Sequence, residues 1–372
     1  MKIQAALLWE PGTQSGWSVE EIELDPPAPG EVLVKLAASG ICHTDEHFDK
    51  GDLPVPWAPV LGGHEGAGTV AEVGDGVTDL AVGDHVVLSM IPSCGKCTMC
   101  VSGRPVFCEL GAGLLGGRAL DGTHRVHARG QGVGALCFLG TFASHAVVPA
   151  ASVIKVNSEI PLDVAALLGC GVPTGWGSAT ISAETSLGDT VVVFGVGGVG
   201  MNAVQGAVQR GARHIVAVDP VEFKRESALK FGATHVAADA DEAAAIVERL
   251  TNGQGAERVI VTVGVATSEV IQPAAALTQR GGVLVVTSAS SPFQQQIDLD
   301  LCTFVMSGKR LQGNVFGGAR PRIDIPILAD MYVDGRYKLD ELITRRYPLE
   351  KINDAFDDMR EGRNIRGLIE FE

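Results

Sequence analysis

The stretch TVVVFGVGGVG, residues 190–200, limits the possible folds of this chain more than any other. Five successive β-branched or aromatic residues suit a strand buried on both faces, and the glycines that follow end it abruptly. MNAVQGAVQRGA then has its apolar residues at helical spacing, so the unit reads strand, tight turn, helix. The pattern continues. HIVAVD, THVAA, ERVIVTVG and GGVLVVTS read as strands, separated by the helical VEFKRESALKFGA and DEAAAIVERL and by a helix over 268–280. Such alternation predicts an α/β domain with a doubly wound parallel sheet, spanning 172–314.

The glycines also carry chemistry. Gly195 permits the tight turn, Gly197 lets the backbone approach a pyrophosphate, and Gly200 allows close packing of helix on strand. Gly198 and Val199 open the helix, whose N-terminal amides and dipole favour phosphate. Asp219 closes the next strand, where a carboxylate accepts hydrogen bonds from an adenosine ribose. That charge repels a 2′-phosphate, so NAD is expected over NADP, with Lys224 as a second ribose contact. A glycine turn alone is weak evidence; the strand before it, helix after it and acid beyond it give it weight.

The chain has 372 residues, beyond the size at which one core stops growing, so two domains are expected. Residues 1–88 are short alternating runs (EVLVKLAASG, GAGTVAEVGDGV) broken by Gly, Pro and Asp, which predict strands of a sandwich or partly open barrel. Residues 109–140 read as a long glycine-rich loop, and the last segment, 315–372, as two helices and a strand returning to the first domain. The division expected is therefore 1–171 with 315–372, and 172–314 between them. A net charge of −15 argues against nucleic-acid or anionic-membrane partners. With no apolar run long enough to span a bilayer and no signal-peptide pattern at the N-terminus, the expected location is the cytoplasm. Clustered cysteines there more often bind metal than form disulfides.

Cys94, Cys97, Cys100 and Cys108 follow C-x₂-C-x₂-C-x₇-C spacing. Four thiolates fill a tetrahedral zinc completely, which makes this a structural site. An iron–sulfur cluster is the other four-thiolate reading. A redox C-x-x-C pair fits less well, since interlocked pairs define no resolving thiol. Cys42 (GICHTDEH), His64 (GGHEGAG) and Cys170 (GCGVPTGWG) form a different set, with two thiolates, one imidazole and a fourth position open, as in catalytic zinc. Cys137 and Cys302, in mostly apolar surroundings, read as small buried hydrophobes.

Taken in order, GHEGAG, CGKCTMCVSGRPVFC, GCGVPTGWGSA, GVGGVG and NIRGLIEF resemble the zinc-dependent medium-chain alcohol dehydrogenases from end to end. Within that family ALLWEPG, CFLGTFASH, NAVQGA and AVDPVEFKRE resemble the NDMA-dependent, mycofactocin-associated nicotinoproteins. The resemblance implies a mainly β, GroES-like catalytic domain beside the Rossmann domain, two zincs per chain, and oxidation of an alcohol by hydride transfer to NAD. It implies that Cys42, His64 and Cys170 ligate the catalytic zinc, with Glu65 as an alternate ligand and Asp45 orienting His64. Thr44 would bond the substrate hydroxyl, and His47 would pass its proton to solvent. His43 and Arg366 would contact the cofactor phosphates, and Thr174 the nicotinamide end. The nicotinoprotein likeness implies bound NAD re-oxidised by a carrier such as mycofactocin. Two alternatives stay open: freely exchanging NAD, or oxidation of formaldehyde–thiol adducts at a cationic mouth formed by His43, Arg118 and Arg125. A homodimer joined near KRLQGNVFG is expected, and a tetramer is the other possibility.

Overall fold

The structure is a computed structural model that describes residues 1–53, 57–288 and 296–371. Two compact units divide the chain, one of Met1–Cys170 with Arg320–Glu372, the other of Gly171–Ala319.

The first unit opens with ten strands: β1 (Lys2–Leu8), β2 (Ser18–Leu24), β3 (Glu31–Gly40), β4 (Val60–Leu61), β5 (Gly66–Val73), β6 (His85–Leu88), β7 (Val126–Ala128), β8 (Gln131–Ala135), β9 (His145–Pro149) and β10 (Val153–Lys155). A closed barrel runs β1-β2-β7-β8-β4. Closure removes the exposed sheet edges that would otherwise invite aggregation. The other strands enter a second sheet, in which β3 pairs with both β5 and β9 and is buried along most of its length. The segment expected as an irregular loop, 109–140, is corrected here, because β7 and β8 form a hairpin inside it. Arg129 and Gly130 join them, both at positive φ (50° and 78°), as a two-residue hairpin turn requires. Glycines disguised β8: Gly132 lies under the His124 ring and Gly134 under the Trp57 ring, with no room for a Cβ.

The second unit is the expected parallel sheet. Its strands are β11 (Thr190–Phe194), β12 (His214–Val218), β13 (His235–Ala237), β14 (Ala256–Val261), β15 (Thr278–Val286) and β16 (Arg310–Gly313), ordered β13-β12-β11-β14-β15-β16. Every residue of β11 is buried, as its unbroken apolar run demands. The boundary after this unit falls at Arg320 rather than 315. The reason is local: a Cβ on Gly317 would strike the carbonyls of Pro173 and Thr174, so the Phe316–Gly318 turn is packed hard against the Gly171–Gly177 helix. Cys137 is buried as expected, but Cys302 is exposed on the short helix Leu301–Ser307. That helix has no buried residue, so apolar neighbours in sequence did not imply burial in space.

The tail returns to the first unit. β17 (Ile343–Pro348), which its basic and exposed ITRRYP sequence concealed, pairs with β18 (Arg366–Glu370), and β18 runs antiparallel to β3. Phe356, on the helix Ile352–Arg360, stacks on Trp17 with ring centroids 5.6 Å apart, and Phe142 meets both rings edge-on. All three are almost wholly buried, so this cluster locks the chain's last segment to its first. Phe356→Ala should destabilise the first unit by about 3–5 kcal/mol. Chemical denaturation followed by tryptophan fluorescence would register the loss.

Candidate active site: a buried metal set and a dinucleotide turn

Within the first unit Cys42, His64, Glu65 and Cys170 converge, each offering a ligand atom within 4.8 Å of the others. They come from separate elements. Cys42 precedes the helix His43–Lys50, His64 and Glu65 link β4 to β5, and Cys170 ends the unit's first segment. Gly63 has φ +86°, which turns the chain so that His64 points inward. The imidazole is fully buried, yet neither ring nitrogen makes a hydrogen bond of good geometry. Such an orphan is costly unless something binds it.

Asp45 stands beside this ring. One carboxylate oxygen accepts the Gly63 N–H at 2.8 Å and the other stands 3.2 Å from His64 Nδ1. Burial works against an imidazolium here, but the Asp45 and Cys42 charges prevail and raise the His64 pKa well above its usual value. A hydrogen bond from Cys170 holds Cys42 well below the ordinary thiol range, while the same bond and burial push Cys170 up. Two thiols competing for one thiolate state, beside an orphaned imidazole, suit a divalent cation that binds both as thiolates.

Sequence reasoning missed a partner of this set and one of the nearby His47. Arg366, read as a phosphate contact, is buried and its guanidinium lies on the Glu65 carboxylate. The two are about 300 positions apart, and no spacing signal links them. Asp52 accepts or shares the Nδ1 proton of His47 at 2.9 Å, just past the helix that carries the histidine. An acid five positions from a candidate relay histidine was a legible signal. Thr44 Oγ1 lies 3.7 Å from Cys42 Sγ, and His43 is exposed, its ring 6.4 Å from that of His47. Their helix is fixed from behind by Arg360, which bonds Glu46 at 2.7 Å and Asp49 at 3.4 Å.

The four clustered cysteines also meet within 4.8 Å of one another, and all eight cysteines of the chain are free of disulfides. Backbone N–H groups point at the sulfurs: Cys97 N to Cys94 Sγ at 3.3 Å and Cys94 N to Cys108 Sγ at 3.4 Å. Amides of Glu109 and Cys100 lower the Cys97 thiol to about 6, whereas burial lifts Cys108 to about 12. Donors aimed at sulfur stabilise thiolate, the form a metal takes.

In the second unit the glycine turn follows β11 as predicted. Gly195 has φ +82°, and a Cβ on Gly200 would collide with the Gly195 carbonyl. Over Gly197 a Cβ would meet nothing within 4 Å, so the space above that backbone is open to a phosphate. Gly198 and Val199 begin the helix Gly198–Gln209. Asp219 braces this turn. Its carboxylate accepts the Val196 N–H at 3.0 Å and the Val221 N–H at 2.9 Å, tying the turn to the end of β12. Thr262 likewise donates to the Gly195 carbonyl at 2.6 Å. Lys224 is half-buried on the adjoining helix Glu222–Lys230, and Thr174 is buried on the helix Gly171–Gly177.

A buried thiol–imidazole metal set in one unit and a dinucleotide turn in the other define a metal- and nicotinamide-dependent dehydrogenase. The comparisons agree. The profile of the alcohol dehydrogenase GroES-like domain matches residues 28–158, and that of the zinc-binding dehydrogenases matches 198–333. The NDMA-dependent alcohol dehydrogenase of Amycolatopsis methanolica is 48% identical over 369 residues, 99% of each chain. Alcohol dehydrogenase B of Mycobacterium tuberculosis is 48% identical over 372 residues, 100% of this chain and 99% of its own. Benzyl alcohol dehydrogenase from Acinetobacter calcoaceticus superposes over the whole of both chains with a TM-score of 0.92 at 31% identity. The chain belongs to the zinc-dependent medium-chain alcohol dehydrogenase family, and it is an alcohol oxidoreductase using zinc and NAD.

Metal analysis of the purified chain should find two zincs. Cys97→Ser should remove one of them and lower thermal stability, whereas Cys170→Ser should remove the other and abolish turnover in a protein that still melts cooperatively.

Proposed function

We propose that this enzyme oxidises its alcohol with NAD that stays bound between turnovers and is re-oxidised by an external carrier such as mycofactocin. The observation that carries the reading is 48% identity, across 99% of both chains, to a relative named for its dependence on NDMA, an artificial acceptor. A zinc ion held by Cys42, His64 and Cys170 would polarise the alcohol oxygen, and bound NAD would accept the hydride. The rest falls to the chain's own groups. Thr44, beside Cys42, takes the hydroxyl hydrogen bond. His47 receives the departing proton, and its bond to Asp52 steadies the ring. Asp45 keeps the His64 ring in place. Glu65, neutralised by Arg366, is the reserve ligand when substrate is absent. His43, exposed on its helix, is assigned to the cofactor's phosphates, and Lys224 to its adenosine ribose.

The formaldehyde–thiol reading needs free cations, and one of its three is committed elsewhere: Arg125 bonds Glu31 and Asp121, each at 2.6 Å. We infer further a cytoplasmic homodimer joined at β16, the edge of its sheet. Leu311 and Val315 are exposed there, as are Leu301, Val305 and Met306 nearby. An unpaired edge with apolar side chains beside it invites a second copy.

Purified protein given an alcohol, and no added NAD, should develop the near-ultraviolet absorbance band of reduced nicotinamide, then lose it on addition of NDMA. Steady turnover with free NAD as sole acceptor would overturn the bound-cofactor reading. Thr44→Val should cut turnover by about a hundredfold or more while leaving the zinc content at two.

A further inference from the structure

His47 receives the proton in the proposed reaction, and its surroundings make that task hard. The side chain sits on the helix His43–Lys50 and is only 5% exposed. An imidazole that gains a proton there becomes a cation with little water around it, which is costly. One group answers it. Asp52 Oδ2 lies 2.9 Å from His47 Nδ1, and the Asp52 side chain is itself 37% exposed. The backbone delivers it. Gly51 ends the helix at φ +83°, which reverses the chain, and the Leu53 N–H closes the reversal on the His47 carbonyl at 3.1 Å. Asp52, between the two, is turned back against the histidine.

The other acids of this helix are committed elsewhere. Asp45 takes the Gly63 N–H, Glu46 binds Lys50 at 2.9 Å and Arg360 at 2.7 Å, and Asp49 takes the Gly16 N–H at 3.2 Å. Among the described residues the Asp52 carboxylate bonds no side chain but His47. The contact also fixes where the ring keeps its hydrogen. An ionised carboxylate only accepts, so Nδ1 is the donor, and in the neutral ring Nε2 is then bare. A bare Nε2 can receive a proton. The opposite tautomer would present an N–H there and could not.

We propose that Asp52 is a positioning residue of the reaction, which holds His47 in the Nδ1–H tautomer and supplies the counter-charge once Nε2 is protonated. In each turnover the alcohol gives a hydride to NAD and its hydroxyl proton to Nε2. The ring becomes an imidazolium and afterwards returns that proton to water. Nδ1 keeps its own hydrogen throughout and Asp52 stays ionised, the logic by which an acid supports a general-base histidine in hydrolytic triads. The proposal rests on the reading of His47 as the proton acceptor.

Nitrogen-15 spectra of the neutral His47 ring in the full-length zinc enzyme report the tautomer directly, since protonated and bare ring nitrogens resonate far apart. The signals are assigned by their loss in His47→Gln. The wild type should carry hydrogen on Nδ1 and none on Nε2. Asp52→Leu, which removes acceptor and charge together, should let hydrogen appear on Nε2. It should also slow hydride transfer about a hundredfold, followed as growth of reduced nicotinamide in a single turnover. KM for the alcohol, zinc content and melting temperature should not change. Asp52→Glu should restore most of the rate. Asp52→Asn, which removes only the charge, should slow transfer by a smaller factor and serves if the leucine variant fails to fold. In a His47→Gln background neither Asp52 variant should add a further loss. Wild-type hydrogen on Nε2, unaltered hydride transfer in the Asp52 variants, or an equal loss in both backgrounds would overturn the proposal. Equal rates in His47→Gln and the wild type would instead overturn the reading of His47 beneath it.

Discussion

The first unit is arranged around one cost: an imidazole, two thiols, two carboxylates and a guanidinium are taken almost entirely out of water. Burying such groups unpaired would cost more than any single contact in the unit returns. Each therefore has an assigned neighbour. Arg366 neutralises Glu65, Asp45 faces both the Gly63 amide and His64, and the two thiols face each other and the ring. The excess is negative, which a dication offsets. The tail's return through β18, beside β3, is what brings Arg366 to this place. That gives the last strand a chemical reason as well as a packing one.

The second unit answers a different constraint, the positioning of backbone rather than of charge. A glycine turn with an open space over Gly197 is useful only if it is held still, and two side chains hold it. Asp219 accepts from the Val196 amide, and Thr262 donates to the Gly195 carbonyl. The acid that reads as a ribose ligand is therefore a brace, so replacing it would disturb the turn itself. Both braces come from hydrogen-bond accounting at strand ends, where the ladder stops and side chains must finish it.

Much of this was legible in the chain. The unbroken apolar run of β11 and the glycines after it predicted the sheet and its ligand edge, because periodicity and backbone freedom are local properties. The two side-chain groups that could hold a metal were legible because few residue types bind zinc, and the cysteine spacing marked one of them. What escaped was non-local or masked by composition. The β7–β8 hairpin hid behind glycines that exist to make room for His124 and Trp57. Cys302 is exposed although its neighbours in sequence are apolar, since nothing covers its helix among the described residues.

The sequence by itself determined which chemistry this protein carries: two sets of metal ligands, a dinucleotide turn and the order of strands around it. Only the tertiary structure decided which groups answer one another. Arg366 meets Glu65, and Asp52 meets His47. Ligand identity is a property of single side chains, whereas pairing depends on distance and direction. Those are set when elements far apart in sequence pack together.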